Sequence, residues 1–191
     1  MARELLGKIL VRELDGQRLW GRLVEVEAYL GPDDLAAHSR GGRRTARTEV
    51  MYGQPGHAYV YFTYGMHWCL NFVTREAGVP QAVLVRALEP GPGVGRCSGP
   101  GLLTRALRID RALNGAPLQP PDLYVVDDGA PRRSVYVTPR IGVQGTGRWE
   151  KRLLRYVVDS PGLSRPLGRK RVRAVQLLPV RADRRKRVDN A

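Results

Sequence analysis

Apolar and polar residues alternate along residues 8–14 and 19–29, and this alternation limits the fold more than any other feature of the chain. A period of two residues places successive side chains on opposite faces of a β-strand, whereas an amphipathic helix has a period of 3.6. Asp15-Gly16 between the two segments is typical of a tight turn. The pattern predicts two antiparallel strands. One face of the second would carry Leu23, Glu25, Glu27 and Tyr29, and the other Val24, Val26 and Ala28.

Further strands are expected along the rest of the chain. Residues 58–73 are aromatic and β-branched on both sides of Tyr64-Gly65, which predicts a hairpin that turns near Gly65. Residues 81–88, 123–126, 134–138 and 171–180 have the apolar composition of shorter strands. Residues 31–57 form a long polar stretch, which we expect to be irregular apart from a turn or two of helix.

One helix is expected after the SGPG sequence at residues 98–101. Asn114-Gly115 lies past the expected end of this helix. The apolar residues that follow SGPG at helical spacing are Leu102, Leu103, Ala106 and Leu107. The 22 Gly and 14 Pro argue against a helical bundle, and 42% hydrophobic residues argue against disorder. Together these features predict a single α+β domain over residues 1–191, with a mostly antiparallel sheet and few helices.

The chain carries 32 Lys and Arg against 18 Asp and Glu, a formal net charge of +14. Residues 148–191 hold 14 of the basic and 4 of the acidic residues, so the excess is concentrated there. A surface of this charge favours a polyanionic partner. The basic runs at residues 169–171 and 184–187 either belong to that surface or form a solvated loop and a disordered tail.

Cysteine and histidine are scarce. Cys69 and Cys97 are too few for a disulfide scaffold or a cysteine zinc site, and His38, His57 and His67 have no regular ligand spacing. No stretch approaches the roughly 20 apolar residues of a membrane span, and no signal peptide is recognisable. We therefore expect a cytoplasmic protein with reduced thiols, no metal and no membrane partner.

Glu25 and Glu27 interrupt an otherwise apolar strand. Either the strand is an edge or half-exposed strand whose polar face meets water, or a carboxylate is partly desolvated there and suited to general-base chemistry. Glu27 lies beside Tyr29, directly before the glycine-containing loop, where functional sites tend to form. The pattern alone leaves both interpretations open.

The expected hairpin is rich in aromatic residues, namely Tyr59, Tyr61, Phe62, Tyr64 and Trp68. Core packing explains part of this set. Tyr64 differs from the others because a residue at the tip of a hairpin points away from the core. In a chain of this charge, an exposed aromatic tip is suited to entering a stack of nucleic-acid bases.

Several long blocks of the sequence, in the right order, resemble the alkyladenine (3-methyladenine) DNA glycosylase family. They are VEVEAYLGPDDLAAHSRGGR at residues 24–43, GHAYVYFTYGMHWCLN at 56–71, VLVRALEP at 83–90, SGPG at 98–101 and PRIGV at 139–143. The resemblance implies a single α+β domain with a curved antiparallel sheet and a protruding hairpin, with no metal and no organic cofactor. It also implies a monomer that acts on double-stranded DNA, in the nucleoid of a bacterium or the nucleus of a eukaryote.

The resemblance also implies a role for individual residues. Glu27 would activate the water that attacks the sugar carbon, and Arg86 would help to place that water. The remaining residues would form the base pocket and the DNA contact: Tyr29 and His38 as one wall, Tyr61 as the other, Leu84 in the lining, Asn71 at the floor against the amino group of a normal guanine, and Tyr64 as the intercalating tip.

Such an enzyme would flip alkylated or deaminated purines out of the duplex in base excision repair, and the expected lesions are of the 3-methyladenine, 7-methylguanine and hypoxanthine type. It would be a monofunctional hydrolase, because the strands of the pocket offer no lysine for a Schiff base. The alternative is a non-enzymatic basic nucleic-acid-binding protein in which Glu27 is structural. A nuclease is disfavoured because no carboxylate cluster would hold a divalent ion.

Overall fold

The computed structural model describes residues 1–131 and 133–167, together with the backbone of residues 173–175. Nine strands and two helices are found in these parts of the chain. Their bounds are α1 (Ala2–Leu5), β1 (Ile9–Leu14), β2 (Gln17–Tyr29), β3 (Ala58–Thr63), β4 (His67–Val73), β5 (Ala82–Pro90), α2 (Pro100–Ala106), β6 (Leu123–Val126), β7 (Val135–Thr138), β8 (Arg155–Val158) and β9 (Arg173–Val175).

All nine strands join one antiparallel sheet, in the order β3-β4-β5-β2-β8-β7-β9, with β1 between β2 and β6. The 13-residue β2 is the centre of this sheet, because it pairs with β5, with β1 along its first half and with β8 along its second. The sheet curls into a half-barrel, and the predicted α+β class with a mostly antiparallel sheet is confirmed.

The main hydrophobic core covers one face of the sheet. Val24 and Val26 of β2 meet Val83 and Val85 of β5 there, and α2 adds Leu103. The register of β2 against β5 shifts between Leu23 and Val26. A bulge of this kind breaks the regular alternation of side chains. Leu23 therefore belongs to the core with Val24, and the prediction that it shares a face with Glu25 is wrong.

The hairpin and most strands agree with their predicted positions, and residues 31–57 contain only two 3₁₀ turns, Arg40–Gly42 and Glu49–Tyr52. The predicted helix is too long. It ends at Ala106 because Arg108 takes a left-handed φ of 50°, and a separate 3₁₀ turn follows at Arg111–Leu113. The pattern did not predict α1 and β8. Both basic runs, and residues 176–180 of the last expected strand, lie outside the described residues.

No helix in the described part of the chain is long and apolar enough to cross a membrane.

Candidate active site

Four strands bring four side chains into one row across the sheet. Tyr59 of β3 pairs with Asn71 of β4, Asn71 pairs with Leu84 of β5, and Leu84 pairs with Glu27 of β2. Directly paired residues of an antiparallel sheet point to the same face. Residues two positions along a strand, such as Tyr29 and Arg86, share that face as well. The row is the reason why residues from distant parts of the sequence meet at one place.

A cavity of about 480 Å³ opens over this face. It is lined by seven of the eight residues predicted for the site, from six elements or loops: Tyr29, His38, Tyr61, Tyr64, Asn71, Leu84 and Arg86. The volume lies in the range of small-molecule pockets. The loop at residues 141–144, for which no role in the site was predicted, also lines the cavity.

Glu27 lies behind the lining rather than in it, and its side chain is fully buried. Three residues that do line the cavity donate hydrogen bonds to its carboxylate. The Tyr29 hydroxyl and Arg86 Nη1 donate to Oε2 at 3.0 and 3.3 Å, and the Ile141 backbone N–H donates to Oε1 at 2.8 Å. A carboxylate has about four acceptor positions, so one position on Oε1 is left over.

Burial raises the pKa of Glu27 above its ordinary value of 4.5, and the nearby charge of Glu25 raises it further. Arg86, the Ile141 N–H and the Tyr29 hydroxyl act in the opposite direction and offset only part of that increase. A carboxylate of raised pKa accepts a proton more readily than an exposed one. The arrangement therefore suits Glu27 to a role as a proton acceptor.

Glu25 is also fully buried, but its surroundings differ. Burial raises its pKa, and hydrogen bonds and charges from Arg155, Ser164 and Arg86 more than offset this, so the net pKa is lowered. Arg86 Nε, Arg155 Nε and the Ser164 hydroxyl all donate to Oε1 at 2.6–3.0 Å, and the Ser164 N–H donates to Oε2. Four hydrogen bonds reach this carboxylate, two of them from arginines, which indicates a structural anion that fixes Arg86.

The expectation that a half-exposed strand explains the two carboxylates is wrong for both. The strand is central in the sheet, and neither Glu25 nor Glu27 is exposed to solvent. The alternation of the sequence is that of a strand with one polar face, but here the polar face is turned toward buried arginines and a cavity.

The aromatic side chains of the cavity contact one another. The rings of His38 and Tyr61 meet edge to face with their centroids 4.6 Å apart, and His38 Nδ1 lies 2.9 Å from the Tyr59 hydroxyl. A flat ring inserted between two others needs about 7 Å between them. A base therefore does not fit between His38 and Tyr61 in this arrangement. Tyr29 lines the same cavity and makes no ring contact with either of them among the described residues.

His38 is held neutral by its environment. Burial lowers its pKa to about 4, and the positive charges of Arg47, Arg40 and Arg43 contribute in the same direction. At neutral pH the ring has one N–H donor and one acceptor nitrogen and carries no charge.

Asn71 is fixed by the strand beside it. Its Nδ2 donates to the backbone oxygen of Tyr59 at 3.0 Å, and its side chain is buried at the lining of the cavity. An amide held in this way presents a fixed shape to whatever enters the cavity.

Tyr64 stands at the tip of the β3–β4 hairpin and is 84% exposed. Tyr64 and Gly65 both have positive φ, 51° and 65°, as a type I′ turn requires, and the Met66 N–H closes the turn on the oxygen of Thr63. A bulky residue seldom takes a positive φ. Phe62 and Met66 beside it are exposed as well, so the tip is apolar.

A buried ion pair that no sequence pattern predicted lies next to Tyr29 of the cavity. Arg140 and Asp34, both fully buried, form two hydrogen bonds at 2.5 and 2.7 Å, and Arg140 also donates to the Ala28 oxygen. The Arg140 guanidinium carbon lies 4.5 Å from the centroid of the Tyr29 ring. Arg140 directly precedes Ile141, whose N–H binds Glu27. Both residues lie in the blocks of the resemblance, but 106 residues separate them and no local pattern pairs them.

No group of three or more His, Cys, Asp or Glu side chains that could hold a metal ion occurs within residues 1–131 and 133–167. Cys69 and Cys97 are both buried and free, and burial raises the pKa of each thiol.

Comparison with known proteins gives a consistent result. Residues 1–161 match the family described as Methylpurine-DNA glycosylase (MPG). A protein of Desulfitobacterium hafniense (strain Y51) is 48% identical over 164 residues, which cover 75% of this chain and 81% of that protein. A protein of Legionella pneumophila (strain Corby) is 48% identical, over 86% of this chain and 91% of that protein. A protein of Methanocella arvoryzae is 46% identical, over 86% of this chain and 90% of that protein. All three bear the name "Putative 3-methyladenine DNA glycosylase".

Proposed function

The chain belongs to the methylpurine-DNA glycosylase family, and we propose that it removes damaged purines from double-stranded DNA with Glu27 as the base that activates the attacking water. The protein is a DNA glycosylase. The proposed lesions are of the 3-methyladenine, 7-methylguanine and hypoxanthine type, and the enzyme acts as a monomer.

One observation carries the role of Glu27. It is a buried carboxylate of raised pKa whose three hydrogen-bond donors all line the aromatic cavity. The remaining acceptor position on Oε1 would take a hydrogen bond from a water molecule at the cavity wall. Arg86, held by Glu25 and Glu27 together, would keep the carboxylate in place and ionised until it accepts the proton of that water.

The reaction needs a general-base catalyst more than a general-acid catalyst. A purine alkylated on a ring nitrogen carries positive charge and leaves readily, so the sugar develops oxocarbenium-like character. Water activated by Glu27 would form the new bond to the sugar carbon, the N-glycosidic bond would break with its electron pair going to the purine, and the proton of the water would pass to the carboxylate.

A lyase reaction is not expected from this site. Schiff-base chemistry requires an amine nucleophile, and no lysine lines the cavity among the residues that the structure describes. We therefore propose that the product is an abasic site with both strands intact.

Binding to the duplex would use the hairpin tip and nearby arginines. Tyr64 would fill the gap left by the flipped nucleotide, and its positive φ is the kind of backbone outlier that functional sites retain. Arg40, Arg43 and Arg47 surround a second, smaller cavity of about 180 Å³ beside His38. Their charges would hold phosphates without reading sequence, so binding should weaken steeply with salt.

The test is release of free base from otherwise identical duplexes that contain 3-methyladenine, 7-methylguanine or hypoxanthine, compared with undamaged DNA. We expect release of the damaged base, unaffected by a metal chelator, and strand breaks only after the abasic product is cleaved by alkali. DNA binding without release of any base would favour the non-enzymatic binding protein. Strand breaks that the chelator abolishes would favour a nuclease.

A further inference from the structure

Tyr29 and Tyr61, two of the tyrosines that line the cavity, each have a guanidinium over the ring. The guanidinium carbon of Arg140 lies 4.5 Å from the centroid of Tyr29, and that of Arg47 lies 4.9 Å from the centroid of Tyr61. Neither arginine lines the main cavity, whereas both tyrosines do. The two cations therefore approach the rings from outside the space that a base would occupy.

The two arginines differ in how their charge is compensated. Arg140 is fully buried and forms two hydrogen bonds to the carboxylate of Asp34. Arg47 is exposed and forms no ion pair with any residue in the described part of the chain. Its polar contacts are uncharged, namely a long hydrogen bond of 3.5 Å to the Phe62 oxygen and a hydrogen bond with the Tyr59 side chain. Of the two cations that lie on the rings of Tyr29 and Tyr61, only Arg47 therefore acts without an ion-pair partner.

The titration of His38 agrees with a positive field at this wall. Burial is the main cause of its lowered pKa, and Arg47 is the strongest of the three charges that lower it further. His38 contacts Tyr61 directly, so the field of Arg47 reaches the same ring against which a base would lie.

A bare aromatic ring attracts a cation through its negative face. A cation already present on one side opposes a second one on the other side. A flat base in van der Waals contact with Tyr61 would lie about 8 Å from the Arg47 guanidinium, since ring contacts are about 3.5 Å. Coulomb repulsion at that distance weakens the binding of a singly charged base, relative to a neutral one, by about two-fold in a medium like water and by about thirty-fold near a protein surface.

We propose that Arg47 is a specificity-determining residue, whose guanidinium on Tyr61 weakens the preference of the pocket for positively charged over neutral purines. The pocket of Tyr29 and Tyr61 would otherwise favour alkylated, cationic bases through their ring faces. With Arg47 in place, the affinity of the pocket for a neutral base is closer to its affinity for a cationic base. This inference rests on the proposed function of the same site.

The test is the ratio of single-turnover rates for two lesions in matched duplexes, cationic 7-methylguanine over neutral hypoxanthine, each corrected for uncatalysed loss. We expect Arg47→Gln to raise this ratio by about two- to thirty-fold over the wild type. Arg47→Lys keeps the charge and should leave the ratio within about two-fold of the wild type. Changes in DNA affinity or in folding affect both rates and cancel in the ratio.

Arg44→Gln is the matched control. Arg44 lies in the same loop, is also exposed and stacks on Tyr52, which does not line the cavity. Unlike Arg47, it is paired with a carboxylate, that of Glu49. Its loss should lower both rates together and leave the ratio unchanged. Salt gives a second readout, because it screens an exposed charge. The wild-type ratio should rise with ionic strength, and that of Arg47→Gln should rise less.

The outcomes separate the two proposals. If the wild type releases neither base, the proposed function itself fails and this inference falls with it. If the wild type releases both bases and Arg47→Gln leaves the ratio unchanged or lowers it, the glycosylase stands and the inference is overturned. An equal rise in Arg44→Gln would also overturn it, because the effect would then come from overall charge.

Discussion

Replacing Asp34 by Asn should destabilise the protein strongly, because it leaves the buried charge of Arg140 without its counter-ion. Both side chains are fully buried, and the carboxylate also accepts hydrogen bonds from the N–H groups of Leu30 and Ala36. Breaking a buried pair by removing one partner costs about 3–5 kcal/mol. Unfolding entropy is about 2.1 cal/mol/K per residue, so a chain of this length should lose about 7–12 °C in Tm.

Urea and thermal unfolding followed by circular dichroism would measure this loss. Glu76→Gln breaks an exposed pair with Arg75 and is the control, with an expected change below about 1 kcal/mol. Replacing Asp34 and Arg140 together by Leu and Met should destabilise less than Asp34→Asn alone, since no charge is then left buried. A loss for Asp34→Asn as small as that for Glu76→Gln would refute the reasoning.

Three further predictions concern single side chains of the site. NMR should show His38 titrating near pH 4. Between pH 4 and about 6.5 the native state binds fewer protons than the unfolded chain, so the contribution of His38 to the free energy of unfolding is present above about pH 6.5 and is lost as the pH falls toward 4. His38→Gln should flatten that part of the stability profile. Arg86→Ala removes the charge that lowers the pKa of Glu27, so the acidic limb of the excision profile should move to higher pH; an unmoved limb would separate Arg86 from Glu27. Tyr64→Ser should depress excision of a well-paired lesion more than that of a mismatched one, because restacking competes less in a mismatch; equal losses would remove the wedge role.

Local patterns were sufficient where one short segment determines its own structure. The hairpin follows from Tyr64-Gly65, since two residues of positive φ make the turn and the flanking segments are β-formers. The alternation around Glu27 predicted its strand. The over-long helix shows the limit of this approach, because the predicted end signal was Asn114-Gly115, whereas the backbone leaves the helical conformation at Arg108.

Long-range pairing was beyond such patterns. Glu25 and Glu27 look alike in the sequence, yet Arg155 and Ser164, 130 and 139 residues away from Glu25, bind one carboxylate, and Ile141 binds the other. The bulge after Leu23 was also invisible, because it depends on how β5 pairs with β2. The resemblance supplied the site residues, whereas the contacts that make Glu27 and Glu25 different come from tertiary structure alone.

The most direct test of the account is the rate of hypoxanthine release by Glu27→Gln in single-turnover conditions, with DNA affinity and Tm measured on the same variant. General-base catalysis contributes about 10²–10⁴-fold, so we expect a loss of that size for neutral hypoxanthine, a smaller loss for cationic 7-methylguanine, and binding of lesion-containing duplex within a few-fold of the wild type. Glu76→Gln is the same chemical change at an exposed residue that does not line the cavity, and this variant should excise as the wild type does. Release of hypoxanthine by Glu27→Gln at the wild-type rate would contradict the assignment of Glu27 as the base.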